Sequence, residues 1–246
     1  MSIVYLFDVD GTLTPSRQPM DKVFQAWFID FAKQHDVGLV TGSDYPKTEE
    51  QVGENVCMAV GRVFNCLGSD VWARGENIYT NPWKLPDVVH YFLLEKLFES
   101  KYTVRAGNHI EQRPGMVNFS VVGRDCTFEQ RKAYNAWDEE HGERISIATS
   151  INGKFPGVHA QVGGEISIDI FQEGTDKAQV IDSLVEGFDN EYTIYYFGDR
   201  LDPTGNDFPI AQRIKNEDLG SVYEVKDWKE TWTLLRNLSQ KNRPIN

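Results

Sequence analysis

A short apolar run of strand-forming residues, Ile3-Val-Tyr-Leu-Phe7, ends abruptly in the polar segment Asp8-Val-Asp10-Gly-Thr12. A buried strand that delivers carboxylates and a glycine at its carboxyl end is typical of open parallel α/β sheets, whose ligands bind beyond the strand ends. The pattern recurs twice. Phe24, Trp27, Phe28 and Phe31 fall at helical spacing, after which Val37-Gly-Leu-Val40 runs into Thr41-Gly-Ser-Asp44. Near the other end, Thr193-Ile-Tyr-Tyr-Phe197 runs into Gly198-Asp199. Three buried strands are therefore expected to bring polar residues to one edge of a mainly parallel sheet.

The middle of the chain follows another rule. From about Tyr102 it shows the alternation and turn chemistry of antiparallel strands, with Pro114-Gly115 suited to a type II turn. Thr127-Phe-Glu-Gln130 has the form of a capping box opening a helix with Arg131, Tyr134 and Trp137. In Glu165-Ile-Ser-Ile-Asp-Ile170 the apolar residues occupy alternate positions, so Ser167 and Asp169 project from the opposite face. The expected organisation is a discontinuous α/β core, residues 1–81 and 174–246, interrupted by an α+β insert with an antiparallel sheet, residues 82–173.

Asp8-Val-Asp10-Gly-Thr12 fixes four positions of D-x-D-G-T, a coincidence expected on the order of once in a thousand such chains. An isolated D-x-D is more often a solvated turn, but its place at a strand end favours chemistry. An EF-hand is excluded by spacing, because Leu13 and Pro19 stand where the loop glycine and bidentate glutamate belong. In-line phosphoryl transfer needs a carboxylate nucleophile, a cation for the phosphate oxygens and a proton donor for the leaving oxygen. Asp8 suits the nucleophile and Asp10 the proton shuttle, while Gly11 lets the chain turn so that the Asp10 carbonyl can face a metal. Asp199 offers a further carboxylate, with Asn206 and Asp207 as additional ligands or supporting partners. Thr41 or Ser43 offers a hydroxyl to phosphate, and Lys177, opening the helical pattern Asp176–Val185, a point charge.

A formal charge of −12 argues against nucleic acid and anionic membrane, both of which recruit basic surface. An anionic substrate then requires a local basic pocket. Cys57, Cys66 and Cys126 are odd in number and widely spaced, so a disulfide framework is not expected and a reducing, cytoplasmic setting is. No span reaches membrane length, and the N-terminal apolar run is too short for a secretory signal. The sequons at Asn118 and Asn237 then carry no glycosylation.

These residues, in this order, resemble the haloacid dehalogenase superfamily, and within it the eukaryotic-type phosphomannomutases, from about Val4 to Val225. The resemblance rests on Phe7-Asp-Val-Asp-Gly-Thr-Leu-Thr14 with Arg17, Gly42-Ser-Asp44, Gly115-Met-Val-Asn118, Gly123-Arg124, Gly163-Gly-Glu-Ile-Ser-Ile-Asp169, Asp176-Lys177, and Phe197-Gly-Asp199 with Pro203, Gly205, Asn206 and Asp207. It implies a Rossmannoid core with an α+β cap, magnesium, and an aspartyl-phosphate at Asp8. It further implies that Arg113, Arg124 and Arg131 grip the distal phosphate of a sugar phosphate, that Ser167 and Asp169 hold sugar hydroxyls, and that Arg17 approaches the substrate from the core.

The activity so implied is interconversion of mannose 6-phosphate and mannose 1-phosphate, primed by a hexose 1,6-bisphosphate and serving GDP-mannose biosynthesis, in a dimer joined through the caps. The chain departs from the family at Thr41, usually glycine, at Cys66-Leu-Gly-Ser-Asp70, usually Glu-Asn-Gly, and at Thr175, usually tryptophan. Thr41 in particular keeps open a sugar-phosphate phosphatase of the same fold. A catalytically silent phosphosugar-binding protein is the rival of another class, disfavoured because every catalytic position is filled.

Overall fold

The computed structural model describes residues 2–185 and 192–241, so the ends of the expected core, Met1 and 242–246, lie outside the described residues. Among the described residues eleven strands are formed: β1 (Ser2–Phe7), β2 (Asp36–Val40), β3 (Arg62–Asn65), β4 (Asp70–Ala73), β5 (Glu76–Thr80), β6 (Ile110–Arg113), β7 (Met116–Phe119), β8 (Val158–Gly163), β9 (Ser167–Gln172), β10 (Tyr192–Gly198) and β11 (Gly220–Glu224). They build a seven-stranded sheet, ordered β11-β10-β1-β2-β3-β4-β5, and a four-stranded sheet, ordered β6-β7-β9-β8. The backbone divides into two compact units, Met1–Tyr79 with Lys177–Pro203 and Asp207–Asn246, and Thr80–Asp176 with Thr204–Asn206.

In the first unit, β11, β10, β1, β2 and β3 run parallel, and β4 pairs antiparallel with β3. Strand alternation sends the two faces of β1 into separate cores. Tyr5 and Phe7 join a cluster with Phe24, Phe28 and Phe31 of the helix Lys22–Ala32 and with Leu235 of the helix Trp228–Lys241. Val4 and Leu6 pack with Val180, Ile181, Ile210 and Ile214 from the helices Gln179–Val185 and Phe208–Asn216. Helices thus cover both faces of a parallel sheet, as its apolar strands require. β3 has four residues and β5 is exposed throughout, so neither carries the periodic signal that would have marked it in the sequence.

The second unit is an antiparallel sheet with helices against one face. Val117, Phe119, Ile168 and Ile170 meet Val89, Phe92 and Leu93 of the helix Asp87–Glu99, Tyr134 of Phe128–His141, and Ile147 and Ile151 of Glu143–Lys154. The Thr127–Gln130 capping box forms in full, and Pro114-Gly115, with Gly115 at φ +62°, closes the β6–β7 hairpin. No helix among the described residues is long and apolar enough to cross a membrane.

Candidate active site

The order of the large sheet reverses at β1. The chain moves outward from β1 through β2 to β3 on one side, then returns to place β10 and β11 on the other. Such a switch point opens a crevice beyond the carboxyl ends of the two central strands. Those ends are held level because Phe7 pairs in register with Phe197, their rings stack at 4.9 Å, and the Asp8 N–H donates to the Phe197 carbonyl at 2.9 Å. A stacked aromatic pair adds about 0.5–1.5 kcal/mol to the burial of its surface. Asp8 and Asp199 follow these phenylalanines directly or by one residue, so the aromatic layer sets their spacing.

Asp8, Asp199 and Asp207 bring carboxylate oxygens within 4.8 Å of one another. Into this group Lys177, fully buried, inserts an ammonium 2.6 Å from Asp8 Oδ1 and 2.6 Å from Asp207 Oδ1. It occupies a turn before the helix Gln179–Val185, not the helix itself. The Tyr196 hydroxyl also donates to Asp207 Oδ1, at 2.6 Å, and the Arg200 N–H donates to Asp207 Oδ2 at 3.1 Å. Asp207 is therefore oriented from three directions. Tyr196 was not anticipated: the Thr193–Phe197 run marks it only as a strand residue, and its hydroxyl gives no local signal.

Three carboxylates face one ammonium, and the electrostatics follow from that excess. Burial raises the Asp8 carboxyl well above the ordinary range, Lys177 acts to lower it, and Asp207 and Asp199 raise it further. Burial and then Asp207 push Asp199 up to about 6, with Lys177 opposing. Burial alone would lower Lys177, but Asp207 and Asp8 leave it above the usual ammonium value. Two negative charges stay uncompensated when all four groups are ionised, and the donors are hard oxygens. The set therefore fits a divalent cation of the magnesium type.

Close packing around this cluster explains two glycines. Gly11 adopts φ +84°, and a Cβ there would collide with the Asp199 carboxylate. At Gly198 a Cβ would lie 2.6 Å from Asp207 Oδ2. Gly11 thus serves a steric role beyond the tight turn expected of it.

Asp10 points its carboxylate elsewhere, outside the three-carboxylate group. Its Oδ1 accepts from the Arg17 backbone N–H at 2.6 Å and from Gln51 Nε2 at 2.9 Å. Arg17, at φ +55°, reaches Asp10 through its main chain, a contact that the sequence did not suggest. Gln51 was likewise missed, since a glutamine in an amphipathic helix carries no signal of its own. At the end of β2, Thr41 Oγ1 accepts from the Ser43 N–H at 3.1 Å, with both residues buried. The loop that departs from the family pattern is pinned there: Cys66 N–H donates to Ser43 O and Leu67 N–H to Thr41 O. Cys66 and Leu67 both take positive φ, at about 1–2 kcal/mol each for a residue with a Cβ. Asn206 is half-buried in the turn just ahead of Asp207.

The remaining predicted residues belong to the second unit. Glu111 of β6, Asn118 of β7 and Asp169 of β9 lie in one cross-strand row, with Arg113 and Ser167 on the same face. Asn118 donates to Asp169 Oδ1 at 2.7 Å, so the sequon residue is a buried polar partner. Glu111, also unanticipated, gathers two of the arginines: Arg113 donates to its Oε2 through Nε at 3.0 Å and also through Nη2, and Arg124 Nε lies 3.2 Å from the same oxygen. Arg124 Nη1 donates to Ser167 Oγ at 3.1 Å, and Arg131 Nε lies 3.9 Å from Glu165.

The profile of the family described as eukaryotic phosphomannomutase matches residues 24–240. The chain is 35% identical over 219 residues to phosphomannomutase 1 of Mus musculus, covering 85% of this chain and 82% of that protein. It is 31% identical over 242 residues to the phosphomannomutase of Saccharomyces cerevisiae, covering 95% and 94%. Among solved structures, a trehalose-6-phosphate phosphatase related protein superposes with a TM-score of 0.58 at 18% identity, covering 98% of each chain. A haloacid dehalogenase-like hydrolase from Bacteroides thetaiotaomicron gives 0.57 at 15% identity, covering 94% and 96%. The fold is haloacid dehalogenase-like.

Proposed function

The chain belongs to the eukaryotic phosphomannomutase family, and from that premise we propose that it interconverts mannose 6-phosphate and mannose 1-phosphate. The observation that carries the chemistry is the Lys177 ammonium set 2.6 Å from Asp8, beside Asp199 and Asp207. Asp8 attacks phosphorus, the phosphorus–sugar oxygen bond breaks, and Asp10 passes its proton to the departing oxygen. In the return step Asp10 takes a proton from the sugar hydroxyl that attacks the aspartyl-phosphate. Lys177 holds the nucleophile in line throughout, and the buried hydroxyls of Thr41 and Ser43 offer donors to phosphate oxygens. Asp8, Asp199, the Asp10 carbonyl and the neighbouring Asn206 and Asp207 would hold a magnesium ion, which would supply neutralisation of charge on the transferring group.

A mutase also needs a grip on the phosphate that is not reacting. Arg113, Arg124 and Arg131 supply it in this proposal, with Ser167 and Asp169 reading sugar hydroxyls and Arg17 touching the substrate from the core. Glu111 supports the assignment because a carboxylate bonded to both Arg113 and Arg124 keeps their forks in place before any phosphate arrives. A hexose 1,6-bisphosphate primes Asp8. Exclusion of water keeps the aspartyl-phosphate from hydrolysing.

Dimerisation through the second unit is supported by the helix Asp87–Glu99, which exposes Val88, Tyr91, Leu94 and Phe98, the last at 92%. An apolar stripe of this kind marks an association surface. The buried thiols Cys57 and Cys66 are in keeping with a reducing compartment.

The deciding experiment incubates the protein with mannose 1-phosphate, magnesium and a trace of hexose 1,6-bisphosphate. Mannose 6-phosphate is the expected product. Inorganic phosphate in its place would identify a phosphatase instead.

A further inference from the structure

We propose that Gln51 is a positioning residue that orients Asp10 for proton transfer to and from the sugar oxygen. It closes the helix Tyr45–Val52, whose start is capped by Asp44, so one rigid element joins the Thr41–Ser43 turn to the Asp10 loop. Thr48, one turn earlier on the same buried face, ties that helix to Asn65 of β3 through a 2.8 Å bond. The Gln51 side chain is 5% exposed. Its Nε2 donates to Asp10 Oδ1 at 2.9 Å and lies 3.5 Å from Thr14 Oγ1.

Its Oε1 is buried with no hydrogen-bond partner. A buried amide with one end unsatisfied is a poor choice for packing, because an apolar side chain of the same shape would leave nothing unpaired. The amide is retained here with its donor end on Asp10. Together with the Arg17 N–H on the same oxygen, it locks the carboxyl rotamer and directs Oδ2 away from the two donors. Flipping the amide would set two oxygens against each other, so the orientation is determined.

The inference rests on the proposed role of Asp10, and the test separates the two. A sugar hydroxyl must receive a proton as it leaves, whereas 4-nitrophenolate departs as an anion, and its first-turnover burst reports phosphorylation of Asp8 alone. In Gln51→Met, kcat for mannose 1-phosphate with hexose 1,6-bisphosphate should fall about 30-fold with little change in KM, while the burst rate falls less than about threefold. Removing the orphaned oxygen should leave the thermal midpoint unchanged or higher. Gln51→Leu should behave alike.

Asp10→Asn should show the same leaving-group discrimination, more strongly. If it discriminates and the Gln51 variants do not, Gln51 does not position Asp10. If Asp10→Asn loses both activities equally, the premise fails and the inference with it. A midpoint that drops in step with both activities in each Gln51 variant would make the residue structural and overturn the proposal.

Discussion

Lys177 and Asp8, separated by 169 positions in the chain, meet at 2.6 Å with the lysine fully buried. Desolvating an ammonium is costly, and here the cost is offset by two carboxylates at equal distance, Asp8 and Asp207. The ammonium thus aims the nucleophile and opposes the rise that burial imposes on its carboxyl, in the same geometry that keeps itself charged.

Lys177→Met should therefore damage both fold and chemistry. Removing one partner of a buried ion pair costs about 3–5 kcal/mol. Turnover should drop at least about 10³-fold. Since the groups left behind are all negative, magnesium should restore more stability to the variant than to the parent. Urea unfolding with and without the metal measures this, and equal gains would argue against the charge account.

The raised carboxyls give the metal-free protein a pH dependence of definite sign. Asp199 has a folded value of about 6 against an ordinary value of 3.8, and Asp8 is raised well above the same reference. The folded state binds more protons in this window, so both groups favour folding at low pH; the Asp199 contribution is lost as pH rises through about 6, and Asp8 adds a loss of the same sign. A bound cation keeps them ionised and removes the penalty. The thermal shift produced by magnesium over chelator should be small near pH 4 and large above pH 6. A shift independent of pH would contradict it.

Gly11→Ala combines an unfavourable positive φ with a collision against Asp199. The φ term alone is about 1–2 kcal/mol. In a double-mutant cycle, Asp199→Ala should relieve the collision with the carboxylate and leave that backbone term with a close Cβ contact of 3.3 Å. Strict additivity of the two substitutions would mean that the side chains do not meet.

Arg124→Ala should lower mutase turnover at least about tenfold while hydrolysis of a small aryl phosphate changes little, because only the sugar phosphate has a distal group to grip. Glu111→Ala should show the same selectivity in weaker form, through loss of its hold on Arg113 and Arg124. Equal losses on both substrates would remove the arginine from the distal site.

Phe98→Glu with Tyr91→Glu should convert a dimer into a monomer with the secondary structure retained, read by light scattering and circular dichroism. Unchanged mass would move the interface away from this helix.

Much of this architecture was legible in the residues because the relevant signals are local. Three buried strands of the parallel sheet, β1, β2 and β10, announced themselves as apolar runs, and Asp8, Thr41 and Asp199 were placed at strand ends by the polar residues that stop those runs. Ser167 and Asp169 were assigned a common face by alternation alone, which β9 bears out. Where the signal was weak the expectation was silent, as for the four-residue β3 and the fully exposed β5.

The sequence by itself determined the strand-end carboxylates, the helical and alternating periods, and the turn and capping chemistry, all of which depend on residues within a few positions of one another. Only the tertiary structure decided the partners: Lys177 with Asp8 and Asp207, Tyr196 with Asp207, Gln51 with Asp10, Glu111 with Arg113 and Arg124. Such pairings follow from strand order and register, which place Phe7 beside Phe197, and from the direction in which each buried side chain finds a hydrogen-bonding group. Neither is encoded in a local pattern. The buried cost of an unpaired polar group is what selects among the possible pairings, and that cost arises only once the chain has folded.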